Sequence, residues 1–144
     1  MNPSESATPV PAFECITPIL NVASIPASVG YYTDVLGFHL DWAAGEPPTM
    51  VSVSRDGHAI MLCAGDQGQA GTWVWIGVHD VEPLCEQYRS RGAKFRLPPT
   101  NYPWAHEMQV EDPDGHVLRF GSEPLSESSS SAGQGRPSDS PPPR

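Results

Sequence analysis

The sequence predicts an α+β fold made of two tandem βαβββ modules. Three observations support this prediction. A strand–helix unit near the N-terminus recurs about 55 residues later, three β-rich runs follow each helix, and turn residues separate those runs. Because the pattern occurs only twice, it indicates two similar modules rather than a solenoid.

The first module begins with the β-rich run Ile16–Val22. Ser24 is suited to cap a helix that has Pro26 in its first turn, and Gly37 predicts where that helix ends. Asp56-Gly57 is typical of a tight hairpin turn. The three predicted strands after the helix are Phe38–Trp42, Met50–Ser54 and His58–Cys63.

The second module repeats this order. Thr72–Val78 reads as a strand rich in β-branched and aromatic residues, Asp80 is suited to cap the next helix, and Gly92 predicts its end. The turn sequence Asp112-Pro113-Asp114-Gly115 separates the last two strands. The predicted strands are Lys94–Leu97, His106–Glu111 and Val117–Gly121.

The two ends of the chain differ from the part between them. Residues 1–12 are polar and aperiodic and are expected to form a flexible arm. Residues 124–144 are rich in Ser, Pro and Gly, with too few apolar side chains to offset the entropy of ordering, so we expect a disordered tail. Residues 13–123 are therefore the predicted folded domain.

Composition excludes several classes of function. The formal net charge is −9, from 8 Lys and Arg against 17 Asp and Glu, which disfavours nucleic-acid binding. No apolar run is long enough to cross a membrane and no signal peptide is recognised, so we expect a cytoplasmic protein. Three scattered cysteines are expected to be buried thiols. Four histidines at strand ends and turns are expected to be surface groups: His58, His79, His106 and His116.

These elements resemble the vicinal oxygen chelate superfamily, which includes glyoxalase I, extradiol dioxygenases and bleomycin-resistance proteins. The resemblance is carried by Tyr31-Tyr32, by Leu36-Gly37-Phe38 and by the turn Asp112–Gly115, and it extends over about residues 16–121. It implies a curved mixed sheet with a concave groove, helices on the outer face, and a homodimer. Since the superfamily hosts many chemistries, the fold alone does not give the function.

The enzymes of this superfamily hold a divalent metal with four side chains. Matched through Val22, Val78 and the D-P-x-G turn, the corresponding positions here are Thr17, Met61, Trp73 and Arg119. These residue types do not make a site for a divalent cation, and Arg would repel one. The resemblance therefore implies that this chain has no metal of its own and no other cofactor.

The tryptophans resemble the antibiotic-sequestering branch of the superfamily. Trp73-Val74-Trp75 matches its W-V-W strand, and Pro103-Trp104 matches the first two residues of its P-W-G segment, in which Ala105 stands in place of the usual Gly. Strand alternation places Trp73 and Trp75 on the groove face if Val74 and Ile76 face the helix. The candidate ligand-binding residues are Phe38, Trp42, Met61, Trp73, Trp75, Trp104, Glu107 and Arg119.

The function predicted on this basis is non-catalytic binding of a bleomycin-like antibiotic or a similar aromatic, cationic molecule, without an enzymatic step. Two alternatives remain open at this point. One is a metal-dependent lyase or dioxygenase with non-standard ligands, and the other is a family member that binds an unrelated metabolite.

Overall fold

The computed structural model describes residues 11–126, which form two four-stranded mixed sheets with one helix on each. The predicted disordered tail and flexible arm fall almost wholly outside the described residues. The first module contains β1 (Ile19–Asn21), α1 (Ile25–Gly30), β2 (His39–Gly45), β3 (Pro48–Arg55) and β4 (His58–Cys63). The second contains β5 (Trp73–Gly77), α2 (Val81–Ser90), β6 (Lys94–Asn101), β7 (His106–Glu111) and β8 (Val117–Ser122).

The two modules share one topology. The strand orders are β1-β4-β3-β2 and β5-β8-β7-β6, so the first strand of each module pairs in parallel with the last. The other neighbours are antiparallel. The predicted tandem βαβββ fold is therefore confirmed.

Several element boundaries differ from the predictions. β1 starts only at Ile19, and Ile16 is exposed. β6 extends to Asn101 through two prolines, which is possible because β6 is an edge strand whose unpaired side needs no N–H donors. Helix α1 starts as predicted, with the Ser24 side chain accepting from the N–H of Ala27. It continues into a π-helical turn at Tyr31–Val35.

Strand alternation builds the core between sheets and helices. Leu20, Val53 and Leu62 are fully buried on the helix side of the first sheet. Met108, Val110 and Leu118 are fully buried in the second sheet. These side chains belong to a single hydrophobic cluster that spans both modules, so the hydrophobic effect holds the two repeats together.

Three tyrosines join the modules, and we call Tyr31, Tyr32 and Tyr88 the tyrosine junction. Tyr31 donates to the Glu111 carbonyl at 2.8 Å, and Tyr88 donates to the Leu36 carbonyl at 2.8 Å. The hydroxyl of Tyr32, on the π-helical turn, donates to Asp112 Oδ2 at 2.9 Å.

The environment of the junction favours the neutral hydroxyl forms. Burial raises the pKa of Tyr88 to about 12, although Arg55 opposes the shift. Burial also raises the pKa of Tyr32, and the charge of Asp112 and its hydrogen bond to the hydroxyl raise it further. The pKa of Tyr31 is raised mainly by burial. Ionising these groups therefore opposes folding.

Asp112, Asp114 and His116, in and after the turn that follows β7, form hydrogen bonds within the turn and to the first module. Asp112 Oδ1 accepts from the N–H groups of Asp114 and His116, each at 2.9 Å, and Asp114 Oδ1 accepts from the N–H of Ala23. The ring of His116 accepts from the Thr72 N–H at Nδ1, so its Nε2 carries the hydrogen that is donated to Asn21. The turn thus ties the second module to the first.

Some predictions about cysteines and histidines are wrong. Cys63 and Cys85 are buried free thiols as expected, and burial raises the pKa of Cys85, but Cys15 is exposed. His106 and His116 are buried rather than on the surface. His106 is tolerated inside because its Nε2 lies 2.6 Å from the Glu82 carboxylate. No helix within residues 11–126 is long and apolar enough to cross a membrane.

Candidate functional site

The candidate site is the face of the second sheet that points away from α2, which we call the groove floor. Strand pairing arranges it in three rows that run from β5 to β6. The rows are Trp73–Val117–Glu111–Lys94, Trp75–Arg119–Gln109–Leu97 and Gly77–Gly121–Glu107–Thr100.

Alternation along β5 places two indoles on this floor. Val74 and Ile76 pack against the core, which turns Trp73 and Trp75 to the opposite face, as predicted. Each tryptophan remains 48% exposed. Two large aromatic side chains in adjacent rows, each half open, form a surface on which a planar molecule could stack.

Two residues fix the orientation of the Trp75 side chain. Its ring lies so close to Gly121 that a Cβ on that glycine would overlap three ring carbons. The guanidinium of Arg119 lies 5.1 Å from the ring centroid, in cation–π contact. The indole therefore lies against the backbone of Gly121, and its contact with the Arg119 guanidinium further restricts its orientation.

Arg119 is itself fixed by Glu107. Its Nη2 and Nε donate to the two carboxylate oxygens at 3.0 and 3.2 Å. The side chains are only 12% and 3% exposed. The sequence predicted both residues as ligand contacts, but Glu107 is too deeply buried to meet a ligand in this arrangement. The pair acts as a support for Trp75.

The row of Trp73 ends in a second cluster of charges. Arg96 lies 5.0 Å from the Trp73 ring centroid, and its Nη1 is 3.6 Å from Glu111. Lys94 Nζ is 3.2 Å from the other oxygen of Glu111. One carboxylate is therefore shared by two cations at this end of the floor.

At the opposite end lies an open cavity of about 640 Å³. It brings together two of the candidate ligand-binding residues, Trp75 from the floor and Trp104 from the loop before β7. Trp104 stacks on Tyr102 with ring centroids 4.8 Å apart, and its buried Nε1 has no hydrogen-bond partner among the described residues. A cavity of this size matches the range of small-molecule sites.

Two other predicted site residues lie on the first sheet. Met61 and Trp42 belong to the row Ile19–Met61–Ser52–Trp42, on the groove face of that sheet. Met61 and Trp42 lie on the face of the first sheet that is equivalent to the groove floor. Because they belong to a different sheet, the structure does not bring them together with Trp75.

The prediction that Phe38 lines the groove is wrong. Its ring is 8% exposed and packs edge-on against Tyr32 at 5.5 Å, inside the core. The prediction assumed unbroken alternation from Phe38 to Trp42. A β-bulge between Leu40 and Trp42 reverses the phase, with Asp41 accepting from the hydroxyls of Ser52 and Ser54.

The sequence reasoning missed five residues of this site. Gly121 was read only as a strand end, although a glycine beside an exposed tryptophan can signal close packing of the ring on the backbone. The others lie on an edge strand or at element ends, where spacing carries no signal. They are Lys94, Arg96, His79 and Glu123.

The positions that hold a metal in related enzymes were also tested against the structure. Met61 pairs with Ile19 in the first module as Arg119 pairs with Trp75 in the second, so the two occupy equivalent places. Arg119 carries a permanent positive charge bound to Glu107. Of the four side chains at these positions, those of Thr17, Met61, Trp73 and Arg119, only Thr17 has an oxygen donor. This set therefore does not fit a divalent cation. Within residues 11–126, no other group of His, Cys, Asp and Glu is arranged to hold a metal ion.

Comparison with known proteins gives a family match. The sequence model of the Glyoxalase/Bleomycin resistance protein/Dioxygenase superfamily matches residues 14–120. A search of curated proteins finds no match.

Solved structures resemble the fold at low sequence identity. TnmS3, an antibiotic binding protein from Streptomyces sp. CB03234, has a TM-score of 0.67 at 20% identity, over 81% of this chain and 100% of that one. TioX from Micromonospora sp. ML1 has a TM-score of 0.67 at 19% identity, over 75% and 97%. The bleomycin-binding protein of Streptomyces verticillus, solved with copper(II)-bleomycin, has a TM-score of 0.63 at 21% identity, over 78% and 98%.

Proposed function

Given that the chain belongs to the glyoxalase/bleomycin resistance protein/dioxygenase superfamily, we propose that it is a non-catalytic binding protein that sequesters an aromatic antibiotic or similar small molecule. The observation that carries the proposal is the groove floor, where Trp73 and Trp75 are half exposed, each indole contacts a guanidinium, and Trp75 is fixed against Gly121. A preorganised aromatic surface lowers the entropic cost of binding a planar ligand.

The chemistry of the floor favours binding over catalysis. Arg119 and Glu107 neutralise each other in a buried pair, so neither is placed to transfer a proton to a ligand. Trp73 stands where related enzymes have a metal ligand, and it offers a stacking surface instead. The solved neighbours described as antibiotic-binding and bleomycin-binding proteins support the same role by analogy.

We also infer that two copies of residues 13–123 associate, with each ligand site completed by the other subunit. Strand β2 supports this inference because it is a sheet edge on which every residue is exposed, including Leu40 at 48% and Trp42 at 44%. Exposed apolar edge strands are usually covered. Sedimentation of the purified protein is expected to give a dimer, and Leu40→Lys is expected to shift it towards the monomer. A cytoplasmic location remains a prediction of the sequence.

The expectation of a cationic ligand is not carried forward. It rested on cation–π contact with the indoles and on nearby carboxylates, and the net charge of −9 is compatible with it. In the structure Arg96 and Arg119 already lie over the two indoles, and the carboxylates of Glu107 and Glu111 already have basic partners.

The proposal is tested by equilibrium dialysis against a panel of aromatic antibiotics that includes bleomycin with and without copper(II). Saturable binding of at least one compound, with no more than one molecule per chain and an unchanged mass after release, is expected. Conversion of more than one equivalent per chain, or an activity that requires added Ni, Zn, Fe or Mn, would favour an enzyme instead. Ile16→Ala, which trims an exposed side chain outside the floor, serves as the matched control.

A further inference from the structure

We propose that the ligand carries an acidic substituent, a carboxylate or an ionised phenol, on its planar rings, and that this substituent lies at the Trp73 end of the groove floor. The inference rests on the proposed function, because it names the chemistry of the molecule that the same groove would hold. The charge it assigns to the ligand is opposite to that of the cationic molecule expected from the sequence.

The basic residues are concentrated on the floor although the chain as a whole is acidic. The sequence contains 8 Lys and Arg, of which Arg136 and Arg144 lie outside the described residues. Three of the remaining six, Lys94, Arg96 and Arg119, lie on the groove floor. Half of the basic residues of an acidic domain thus line one face of one sheet.

The excess of positive charge lies beside Trp73. Arg96 and Lys94 are 47% and 71% exposed, and both lie against the single carboxylate of Glu111. An ammonium offers three donors and a guanidinium five, so one carboxylate cannot use them all. A second carboxylate, brought by a ligand stacked on Trp73, would find charge-assisted donors within reach.

A cationic ligand gains little from the same surface. A ring stacked on Trp75 or Trp73 would lie less than about 10 Å from a guanidinium that already contacts the indole, so a positive charge on it is repelled. Glu107 offers no compensation, since it is 3% exposed and paired with Arg119.

The charges at the cavity end of the groove floor determine the orientation expected for the ligand. The cavity beside Trp75 is lined by the exposed acid Glu123 and by His79. A carboxylate on the ligand would be repelled by Glu123 at that end and attracted by Arg96 and Lys94 at the other. The ring system is thus expected to lie over both indoles, with its acidic group at the Trp73 end, within reach of Arg96 and Lys94.

The test uses three planar probes of one shape and different charge: acridine-9-carboxylate, acridine and 9-aminoacridine, which is a cation at neutral pH. Binding is measured by quenching of tryptophan fluorescence and by calorimetry at low salt. The carboxylate is expected to bind at least about fivefold more tightly than the cation, a size typical of one extra charge-assisted contact. Added salt is expected to reduce the difference.

Two variants test whether Lys94 and Arg96 cause the preference for the carboxylate probe. In Lys94→Gln/Arg96→Gln the preference for the carboxylate is expected to fall to within about twofold, because the donors are lost while the indoles remain. Arg89→Gln is the matched control, since it removes one exposed positive charge from α2 on the opposite side of the sheet and is expected to keep the preference. Comparable circular dichroism spectra verify folding.

The outcomes separate the two proposals. Equal affinities, tighter binding of 9-aminoacridine, or a preference that survives in the double variant would overturn the acidic-ligand inference and leave the aromatic site intact. If none of the three probes bound, the aromatic site itself would be contradicted, and this inference with it.

Discussion

Trp75 shows how a side chain predicted from spacing acquires its role from residues that spacing does not reveal. Alternation along β5 predicts that it leaves the core. Its orientation depends on Gly121, which lets the ring approach the backbone, and on Arg119, whose guanidinium lies 5.1 Å from the ring centroid. Arg119 in turn is fixed by Glu107. These three residues are positioning residues for the indole rather than contacts for a ligand.

Gly121→Ala is expected to displace the Trp75 indole, because the new methyl group would overlap its ring. Overpacking of this kind costs about 1–3 kcal/mol of unfolding free energy, unless the ring swings away, in which case ligand affinity falls instead. Gly77→Ala is the control, since its Cβ would lie 3.8 Å from Trp75 Nε1, an ordinary contact. Near-ultraviolet circular dichroism and urea unfolding measure both effects. Identical spectra for wild type and Gly121→Ala would show that the ring does not rest on this glycine.

Glu107→Gln is expected to lower the free energy of unfolding by about 3–5 kcal/mol, because it removes the charged carboxylate that pairs with the buried Arg119 guanidinium. Glu107→Gln/Arg119→Met is expected to recover part of that loss. Glu86→Gln, which breaks the exposed pair with Arg89, is the control and is expected to cost less than about 1 kcal/mol. A cost for Glu107→Gln no larger than that of the control would contradict the supporting role of the pair.

At the scale of elements, the helices, tight turns and central strands could be predicted because their signals are local. Ser24 and Asp80 cap their helices, and Asp56 and Gly57 both adopt positive φ in the hairpin turn, as their types suggest. β4 and β7 have the predicted bounds. Each of these features depends on residues next to one another in the chain.

The failures at this scale come from long-range pairing. The prolines of β6 suggested an end at Leu97, but the strand continues because its outer edge has no partner in the sheet. The bulge in β2 reverses the face of Phe38 because Asp41 bonds to serines on the neighbouring strand. Such effects depend on a partner strand that periodicity cannot identify.

The tyrosine junction predicts how stability depends on pH. Tyr31, Tyr32 and Tyr88 have raised pKa values in the folded state, so their contribution is fully present below the unfolded-state pKa of 10.0 and is lost as pH rises towards the folded values. Between pH 10 and about 12, the ionisation of Tyr88 in the unfolded state is expected to reduce the free energy of unfolding by about 1.4 kcal/mol per pH unit.

Tyr88→Phe tests this dependence. The variant is expected to be less stable at neutral pH, since the hydrogen bond to the Leu36 carbonyl is lost, and its stability is expected to fall less steeply above pH 10. Urea unfolding at several pH values gives both slopes. If the slope of the variant above pH 10 equals that of the wild type, Tyr88 is not one of the groups responsible.

At the scale of the whole molecule, the fold and the pair Trp73 and Trp75 could be predicted from the sequence, whereas the charge of the site could not. The sequence led us to expect a cationic ligand, with which the net charge of −9 is compatible, but net charge sums over the whole chain and not over the groove. Sheet pairing gathers Lys94, Arg96 and Arg119 onto one face from strands that are separated in the chain. Local charge therefore becomes visible only when the register of the strands is known.

The central claim is that the indoles of the groove floor hold a planar ligand, and the affinity of acridine-9-carboxylate for wild type and Trp75→Ala tests it most directly. We expect saturable quenching in the wild type and binding about 5- to 150-fold weaker in Trp75→Ala, as for loss of about 1–3 kcal/mol of stacking. An intermediate affinity is expected in Trp75→Phe. No saturable binding to the wild type, or equal affinities in all three proteins, would contradict the account.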